Sequence, residues 1–576
     1  MTLINKDILS KAQEWLTYDP KTKEEVQNLI DNNPKELVDS FYKDLEFGTG
    51  GMRGIMGAGS NRMNKYTVGA AAQGLANYII KSFPDEELKA AIAYDCRNNS
   101  PYFAEITAQV LSANGIKVYL FTELRPTPEL SFTIRHLSCQ SGVVITASHN
   151  PKEYNGFKAY WQDGGQLISP HDKNVIEEVQ SIHSLKDIKF EGNKDLIIKT
   201  NEDIDNEYLE RVCSLSLSRK AIDEDNDIPI VFTALHGTGG TMIPRALKKL
   251  GFKNISTVKE QDIYDGNFPT VASPNPEETS ALQMALDLGE EVNAELVMGT
   301  DPDADRVGIA VRNKENKLTL LNGNQAASIL IYYLLSKWSE DGKLTGNEYI
   351  AKTIVTTELL KDIADSFKVK CFDVLTGFKY IADLIHKNEG KMQFIGGGEE
   401  SYGYLVGEFI RDKDAVISCT MFAEIAAWAK SQGKTIYDIL IDIYTKHACY
   451  LESLVSLVKK GKEGSEEIQK IMATYRNAPP KKIADYKVVQ INDYSISKSF
   501  NIKTGEEKDI DLPKSNVLQF FTEDGSKISV RPSGTEPKIK YYISVKLSSL
   551  ESVNIEDIFV LLEAKVQSFI SDLGIE

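Results

Sequence analysis

One pattern occurs three times along the chain and restricts its fold more than any other feature. Each copy reads as a short apolar strand, a polar turn, a helix of about three turns and a second strand. The copies lie at residues 91–121, 229–258 and 349–378, and the first reads AIAYDCRNNSPYFAEITAQVLSANGIKVYLF. Strand–helix–strand units of this kind join parallel strands by crossovers of one hand. The sequence therefore predicts several α/β domains built on parallel or mixed sheets.

The last part of the chain carries a different pattern. A charged segment at 457–470 predicts a solvated helix, and residues 554–573 predict a closing helix. Between them, short apolar segments of strand-like composition follow one another. These segments lie at 486–493, 516–525, 526–534 and 538–546. The pattern predicts a smaller α+β domain at the C-terminal end.

The length of 576 residues exceeds what one hydrophobic core supports, so we expect several domains. Residues 1–45 carry apolar side chains at helical spacing and predict N-terminal helices. We predict an α/β fold with three similar α/β domains on mixed sheets, followed by the smaller α+β domain. The predicted ranges are 1–205, 206–320, 321–455 and 456–576.

The net charge of the chain limits the classes of partner that it can bind. It has 66 basic and 83 acidic residues, a balance of −17. Such a surface repels the nucleic-acid backbone and anionic lipid, so we expect neither nucleic acid nor a membrane as a partner. It also repels phosphorylated metabolites, which would need a local basic cluster to bind. No stretch approaches the ~20 apolar residues of a membrane span, the N-terminus lacks a signal-peptide pattern, and the cysteines form no CxxC pair, so we expect a cytoplasmic protein.

Four loops carry residue types that suit chemistry. The first, VVITASHNPKEYNGFKAY at 143–160, places Ser148 at the end of an apolar strand. His149 stands beside it, and Lys158 follows ten residues on. Ligands bind at strand ends in α/β sheets, which favours a functional role. A plain turn would also account for the Ser, Asn and Pro residues.

The second loop, ELVMGTDPDADRVGIAV at 295–311, places three carboxylates directly after a strand. Asp301, Asp303 and Asp305 alternate, and Arg306 follows. Carboxylates at this spacing on an extended loop can converge on one hard divalent cation. Mg²⁺ is favoured because so few carboxylates leave coordination sites for water or a phosphate oxygen. The alternative is a capped turn with solvated acids.

The third loop, FIGGGEESYGYLVGEFIRDKDAV at 394–416, combines a glycine run with carboxylates and a hydroxyl. Glu399 and Ser401 could accept and donate hydrogen bonds to the vicinal hydroxyls of a sugar. Lys413 lies a few residues beyond them. A glycine run also occurs in ordinary tight turns, so the pattern alone is weak.

The fourth loop, ISVRPSGTEPKIKYY at 528–542, has the composition of a phosphate nest. It offers a guanidinium, two hydroxyls, free backbone N–H groups and two ammonium groups. A basic hairpin turn is the alternative. The residues concerned are Arg531, Ser533, Gly534, Thr535, Lys538 and Lys540.

A glycine-rich segment near the N-terminus adds a further basic residue. FGTGGMRGIMGAGSNRMN at 47–64 supplies Arg53, but its glycines do not have the GxGxxG spacing of a dinucleotide fold. The basic cluster that the charge of −17 requires therefore has several candidates. They are Arg53, Lys158, Arg306, Lys413, Arg531 and Lys538.

These segments together resemble, in their order along the chain, the motifs of the α-D-phosphohexomutase family of phosphoglucomutases and phosphomannomutases. The motifs are FGTGGMRG, TASHNPKEYNGFK, DPDADR, GEESYG and RPSGTEPK. The resemblance covers nearly the whole chain. It is greatest to the longer branch that holds phosphoglucomutase, phosphopentomutase and glucose-1,6-bisphosphate synthase. It implies four domains around a central cleft, each giving one loop.

The resemblance implies a role for each loop. Ser148 matches the phosphoserine that carries the phosphoryl group and would complete an Mg²⁺ site formed by Asp301, Asp303 and Asp305. A second set of residues matches the basic groups around the transferring phosphoryl group: Arg53, Lys158 and Arg306. A third set matches residues that bind the sugar or its non-reacting phosphate: Thr376, Gly377, Lys379, Glu399, Ser401, Arg531, Ser533, Gly534 and Thr535. Phe378 stands where the hexose enzymes often have Trp or Tyr.

The implied activity is that of a phosphoglucomutase, which interconverts α-D-glucose 1-phosphate and glucose 6-phosphate through a phosphoserine and a 1,6-bisphosphate. Mg²⁺ would be the cofactor, glucose 1,6-bisphosphate the activator, and small-molecule sugar phosphates the partners. His149, Lys158 and Lys413 are the candidates for moving the proton of the sugar hydroxyl.

Phosphomannomutase and phosphopentomutase are alternatives within the family, and glucose-1,6-bisphosphate synthase ranks below them. Outside it, the chain could be a Mg²⁺-dependent phosphatase with Asp301 as nucleophile, or a non-catalytic sugar-phosphate sensor.

Overall fold

The structure is a computed structural model that describes residues 5–48, 50–459, 461–533, 538–547 and 555–575. The chain forms two compact units. The first comprises Met1–Asn322, Ala382–Ile395 and Ser401–Gly433, and the second Gly323–Ile381, Gly396–Glu400 and Lys434–Glu576. Among the described residues, no helix is both long and apolar enough to cross a membrane. The six cysteines are free thiols.

The first unit begins with three helices and a seven-stranded mixed sheet. The N-terminal helices start at the side-chain caps Asn5, Asp19 and Asn33 and pack through Trp15 and Phe41. The elements are α1 (Lys6–Trp15), α2 (Pro20–Asn32), α3 (Pro34–Phe41), β1 (Phe47–Gly48), β2 (Gly51–Ile55), α4 (Lys65–Ser82), β3 (Lys89–Tyr94), α5 (Ser100–Ala113), β4 (Lys117–Phe121), α6 (Thr127–His136), β5 (Ser141–Ile145), β6 (Tyr154–Trp161), α7 (His171–Gln180) and β7 (Ile197–Thr200).

The strand order of this sheet is β1-β2-β6-β5-β3-β4-β7. Strands β5, β3, β4 and β7 are parallel, whereas β1, β2 and β6 are antiparallel to their neighbours. The β3–α5–β4 crossover is the first repeat predicted from the sequence. Its helix is followed by Gly115 at φ +82°, a left-handed position that suits glycine.

A five-stranded mixed sheet follows in the first unit. Its elements are α8 (Glu202–Cys213), α9 (Arg219–Glu224), β8 (Ile230–Thr233), α10 (Gly239–Leu250), β9 (Ile255–Thr257), α11 (Thr279–Glu291), β10 (Leu296–Thr300), β11 (Val307–Arg312) and β12 (Leu318–Leu320). The order is β12-β11-β10-β8-β9, with β10, β8 and β9 parallel. The β8–α10–β9 crossover is the second predicted repeat.

The third predicted repeat is β13–α13–β14, in which α13 joins two parallel strands. The elements of this part of the chain are α12 (Gly323–Glu340), β13 (Glu348–Thr353), α13 (Leu359–Ser366), β14 (Lys370–Val374), α14 (Phe378–Asn388), β15 (Gln393–Gly398), β16 (Tyr404–Val406), α15 (Ala415–Ser431), α16 (Ile436–Lys446) and β17 (Cys449–Val458). All three predicted α/β repeats are therefore present.

The C-terminal part of the second unit is an antiparallel sheet with two helices. Its elements are α17 (Gly461–Asn477), β18 (Lys482–Ile483), β19 (Tyr486–Asp493), β20 (Lys498–Asn501), β21 (Glu507–Asp509), β22 (Leu518–Thr522), β23 (Lys527–Pro532), β24 (Lys538–Leu547) and α18 (Ile555–Leu573). The strand order is β17-β24-β23-β22-β19-β20-β21, and β18 pairs with β19. This confirms the predicted α+β region. The charged segment 457–470 is helical only from Gly461, because β17 runs on to Val458.

Candidate active site

The Ser148 loop connects strand β5 to strand β6. Pairing with β5 and β2 places Lys158 opposite Val144 and Gly51, and Arg53 lies opposite Gly156. The two neighbouring strands thus bring the predicted basic residues to the sheet region that carries the serine. Ser148 itself has φ +51°, and its N–H donates to Thr146 Oγ1 at 2.8 Å. A non-glycine residue at positive φ is held there by its surroundings and is common at functional sites.

The buried side chain of Arg97 stabilises the Ser148 loop. The guanidinium of Arg97, which is 1% exposed, donates to four carbonyl oxygens of the loop and pairs with Asp95. The acceptors are the carbonyl oxygens of Ser148, Asn150, Pro151 and Tyr154. The sequence reasoning missed Arg97, although it follows strand β3 at a strand end, where such a residue could have been suspected.

The three predicted metal ligands lie in the turn between β10 and β11 and are all buried. Their ligand atoms come within 4.8 Å of one another. Asp301 Oδ1 accepts hydrogen bonds from two backbone N–H groups, those of Asp305 at 3.2 Å and Arg306 at 3.1 Å. Asp301 Oδ2 accepts one from Ser148 Oγ at 2.8 Å. The structure therefore joins the predicted phosphoserine to the predicted metal loop.

This carboxylate cluster fits a hard divalent cation. The Oδ1 atoms of Asp303 and Asp305 are buried and accept no hydrogen bond within the described part of the chain. Buried carboxylate oxygens without partners are costly unless an ion or a donor completes them. An all-oxygen donor set of three carboxylates and a hydroxyl suits Mg²⁺.

Two lysines compensate the negative charge of the cluster. Lys158 Nζ lies 2.6 Å from Asp303 Oδ2 and 3.4 Å from Asp305 Oδ2, and Lys413 Nζ lies 3.1 Å from Asp305 Oδ2. Burial alone would raise the pKa of Asp305, but Lys413 and Lys158 outweigh it and hold the pKa below its usual range. Burial raises the pKa of Asp301, and its two neighbouring carboxylates add to the rise. These lysines are thus the local basic groups that the acidic chain needs.

Three of the remaining predicted residues, His149, Arg53 and Arg306, lie near the Ser148 hydroxyl or its loop. His149 Nδ1 lies 3.2 Å from Ser148 Oγ, and burial lowers the pKa of His149 to about 3 with help from Arg306 and Arg53. Arg53 is exposed and donates to Asn150 Oδ1 at 2.9 Å. Arg306 NH1 donates to Glu277 Oε1 at 2.6 Å, a partner that no sequence pattern indicated. Ser401 is half-buried in the turn before β16.

Thr127 is a second residue that the sequence reasoning missed. Its N–H donates to the Asp303 carbonyl oxygen at 2.9 Å and its Oγ1 to Asp303 Oδ2 at 3.0 Å. The two residues are 176 positions apart, so no local spacing could have revealed the contact. The neighbouring residues Pro126 and Pro128 are typical of a helix start and do not indicate this contact.

Four of the predicted sugar-binding residues, Thr376, Gly377, Lys379 and Glu399, lie in the second unit, whereas Ser401 and Lys413 belong to the first. The Gly377 N–H donates to Glu399 Oε1 at 2.9 Å, which joins the 376–379 loop to the loop after β15. Thr376 Oγ1 is buried and makes no hydrogen bond to the residues that the structure describes, and Lys379 is half-buried. Glu399 is only 5% exposed, so the surrounding protein restricts the orientation of its carboxylate before any ligand binds.

The residue next to Glu399 has a structural role. Glu400 Oε2 accepts hydrogen bonds from Thr353 Oγ1 at 3.2 Å and Thr356 Oγ1 at 3.1 Å. The adjacent carboxylates of the sequence motif are thus used differently, with Glu400 tied to the end of β13.

The predicted phosphate loop follows β23. Arg531 lies beside Tyr542, whose pKa burial raises to about 12, with Glu400 raising it further and Arg531 lowering it. Across the hairpin, Ser533 N–H donates to the Lys538 carbonyl oxygen at 2.7 Å. Gly534 and Thr535, which the sequence also predicted for this loop, lie outside the described residues.

A buried ion network ties this hairpin to the α/β part of the second unit. Glu358 Oε1 accepts from Lys527 Nζ on β23 at 2.5 Å and from Lys352 Nζ on β13 at 3.0 Å. Lys352 also pairs with Asp373 at 2.7 Å, at the end of β14 that leads to the 376–379 loop. Both lysines are at most 2% exposed. Glu358 therefore links β23, which precedes the phosphate loop, to β13, and Lys352 continues the network to β14, which precedes the 376–379 loop.

Comparison with known proteins agrees with this arrangement. Three family models match the chain, described as phosphoglucomutase/phosphomannomutase, alpha/beta/alpha domains I, II and III, at residues 44–186, 206–314 and 322–447. The chain is 36% identical over 519 residues to a phosphoglucomutase of Staphylococcus haemolyticus, covering 90% of this chain and 93% of that protein. It is 37% identical over 521 residues to a phosphoglucomutase of Staphylococcus aureus, covering 90% and 92%.

Two solved structures share the fold. The phosphoglucomutase pp63/parafusin from Paramecium, in its open form, superposes with a TM-score of 0.68 at 18% identity, over 92% of this chain and 96% of that chain. A phosphoglucomutase/phosphomannomutase family protein from Burkholderia thailandensis gives a TM-score of 0.65 at 17% identity, over 92% and 97%.

Proposed function

The chain belongs to the α-D-phosphohexomutase family of phosphoglucomutases and phosphomannomutases, and from this membership we propose that it is a phosphoglucomutase. It interconverts α-D-glucose 1-phosphate and glucose 6-phosphate. The observation that carries this proposal is the Ser148 hydroxyl, held 2.8 Å from Asp301 within a buried three-carboxylate cluster. The choice of glucose rests on the staphylococcal relatives, which are phosphoglucomutases.

Ser148 is the carrier of the transferred phosphoryl group in this proposal. The Oγ–P bond of phosphorylated Ser148 breaks as the 6-hydroxyl of glucose 1-phosphate forms its own bond to phosphorus. His149, Lys158 and Lys413 remain the candidates for accepting the proton of that hydroxyl, a lysine only in its uncharged form. The resulting 1,6-bisphosphate turns over and returns its 1-phosphoryl group to Ser148, which leaves glucose 6-phosphate.

Three basic side chains neutralise the phosphoryl group during transfer. Negative charge is spread over its equatorial oxygens, so fixed cations around it lower the barrier. Lys158 and Arg306 are both held near the cluster by ion pairs, with Asp303 and Glu277 respectively. Arg53 reaches the same loop through Asn150. Asp301, Asp303, Asp305 and a Ser148-borne oxygen would hold Mg²⁺, which supplies further electrostatic stabilisation when bound.

Further residues supply substrate recognition in the same proposal. Glu399, Ser401, Lys413 and the 376–379 loop with Thr376, Gly377 and Lys379 bind the sugar. The non-reacting phosphate is gripped by Arg531, Ser533, Gly534, Thr535 and Lys538. Glucose 1,6-bisphosphate acts as activator because it restores the phosphoryl group of Ser148. We also keep the proposed domain ranges 1–205, 206–320, 321–455 and 456–576, noting that β17 spans the last boundary.

The phosphatase alternative would need Asp301 as its nucleophile. Both Asp301 oxygens are already engaged, Oδ1 by backbone N–H groups and Oδ2 by Ser148. Three hydrogen bonds to its oxygens reduce the nucleophilicity of the Asp301 carboxylate. This favours Ser148 as the group that forms the phosphoester.

Phosphorus NMR tests the proposal. With Mg²⁺ and a trace of glucose 1,6-bisphosphate, the full chain receives glucose 1-phosphate, mannose 1-phosphate or ribose 1-phosphate in separate tubes. We expect the fastest conversion for glucose 1-phosphate, to glucose 6-phosphate. Release of inorganic phosphate alone would support the phosphatase, faster conversion of another sugar would reassign the substrate, and no change in any tube would favour the sensor.

A further inference from the structure

Asp303 has two unequal oxygens, and a threonine on another element controls one of them. Asp303 Oδ2 accepts hydrogen bonds from Thr127 Oγ1 at 3.0 Å and Lys158 Nζ at 2.6 Å. Asp303 Oδ1 is buried and accepts none within the described chain. The Asp303 carboxylate is therefore oriented so that Oδ2 binds donors of the protein and Oδ1 can bind a ligand.

Thr127 donates two hydrogen bonds to Asp303 in the metal loop. Besides the side-chain contact, its backbone N–H donates to the Asp303 carbonyl oxygen at 2.9 Å. The threonine is fully buried. The Thr127 hydroxyl donates to Asp303 Oδ2 from a buried position, and both the backbone and the side chain of Asp303 are thus held at the start of α6.

The position of Thr127 is itself fixed by a buried ion pair. Arg125 lies two residues before it and makes two hydrogen bonds to Asp205, at 2.9 and 3.0 Å. Arg245 completes the Asp205 carboxylate at 2.9 Å. The Arg125 N–H donates to the Tyr94 carbonyl oxygen at 3.1 Å. The Thr127 hydroxyl thus projects from a segment that is anchored on strand β3 of the first sheet and on helix α8.

Lys158, the second donor to Asp303 Oδ2, also has other partners. Lys158 Nζ also lies 3.4 Å from Asp305 Oδ2, and it is a proposed ligand of the transferring phosphoryl group. A lysine that turns toward substrate withdraws its hydrogen bond from Asp303. The Thr127 hydroxyl, at the end of a short and buried side chain, stays in place.

We propose that Thr127 is a positioning residue that keeps Asp303 Oδ1 available for the divalent cation and thereby sets the affinity of the cluster for it. This inference deepens the proposed function and rests on the same carboxylate cluster. Partners that orient a metal ligand typically contribute 10- to 100-fold in metal affinity. Threonine suits the task because it supplies a hydroxyl at a position where the isosteric valine would supply a methyl group.

The test compares Thr127→Val with Thr127→Ser in the full chain. Mn²⁺ binding is measured by electron paramagnetic resonance, and thermal unfolding midpoints are measured in chelator. We expect Thr127→Val to bind Mn²⁺ roughly 10-fold more weakly or worse, and Thr127→Ser to stay within about threefold of the parent. The midpoints without metal should agree among all three. Should Thr127→Val not fold, Thr127→Ala carries the same expectation.

A functional readout separates orientation from general damage. The mutase activity of Thr127→Val should recover as Mg²⁺ is raised, because only the affinity for the cation has changed. Parental Mn²⁺ affinity in Thr127→Val, or an equal loss in Thr127→Ser, would overturn the inference. Mn²⁺ binding is read without substrate, so it decides on Thr127 even if the parent fails to turn over glucose 1-phosphate.

Discussion

The carboxyl group of Asp414 should make the protein less stable as the pH rises, and asparagine at this position should remove that dependence. Asp414 is fully buried before α15. It accepts hydrogen bonds from Ile417 N–H at 2.8 Å and Tyr208 OH at 2.8 Å. Burial nevertheless raises the pKa of Asp414 from 3.8 to about 7, since these bonds only partly offset it and Asp412 adds to the rise.

The sign and size follow from proton linkage. The unfolded chain releases the Asp414 proton near pH 3.8, whereas the folded chain keeps it until about pH 7. The folded state binds more protons between these values, so its stabilisation is complete below pH 3.8 and is lost as the pH rises through about 7. At about 1.4 kcal/mol per pH unit the total is about 4 kcal/mol. Of this, about 2.5 kcal/mol should be lost between pH 5 and pH 8.

Urea unfolding at pH 5, 6, 7 and 8 measures this loss. Circular dichroism and tyrosine fluorescence should give the same transition, which checks two-state behaviour. Asparagine also caps helices, so Asp414→Asn keeps the cap of α15 while removing the titration. Asp287→Asn, on the exposed face of α11, is the matched control.

The difference between the free energies of the parent and Asp414→Asn should grow with pH, whereas Asp287→Asn should run parallel to the parent. Parallel curves for all three proteins would refute the reasoning about Asp414.

Four further outcomes are expected. Ser148→Ala should abolish turnover and covalent phosphate labelling while its circular dichroism stays that of the parent; full activity would exclude the phosphoserine role. Arg531→Ala should raise KM for glucose 1-phosphate more than it lowers kcat, because it grips the non-reacting phosphate; an unchanged KM would contradict this. Glu358→Gln should lower the free energy of unfolding by about 3 to 5 kcal/mol, since it leaves Lys352 and Lys527 buried without their shared counter-charge; a urea midpoint equal to that of the parent would count against it. Chelation should stop turnover, and added Mg²⁺ should restore it; activity that survives chelation would remove the metal from the proposal.

Much of the fold could be predicted from local periodicity. The strand predicted at 486–493 has the bounds of β19, and the closing helix predicted near 554–573 is α18. Both have unambiguous local patterns. The charged segment 457–470 gave a less accurate prediction because β17 extends to Val458 by pairing with β24 over its whole length. A partner strand some 80 positions away decided where the helix could begin.

The site residues of the first unit could be predicted because they lie in short contiguous motifs of the sequence. Ser148 and the aspartates each follow a buried strand, a pattern visible without any structure. Arg97 and Thr127 were missed because their functional contacts are side-chain contacts to distant loops. Glu400 follows Glu399 directly in the motif, yet it accepts hydrogen bonds from Thr353 and Thr356, a difference that adjacency in the sequence does not show.

The pairing of β6 with β2 and β5 also limits how this chain can change in length. Lys158 stands opposite Gly51 on one side and Val144 on the other. Adding or deleting one residue within β6 before Lys158 would turn its side chain to the opposite face of the sheet, away from Asp303. A change of length in the turn from 146 to 153 would instead displace Ser148. Any variant that keeps this chemistry must therefore keep the ten-residue interval between serine and lysine, and insertions will be tolerated only outside it.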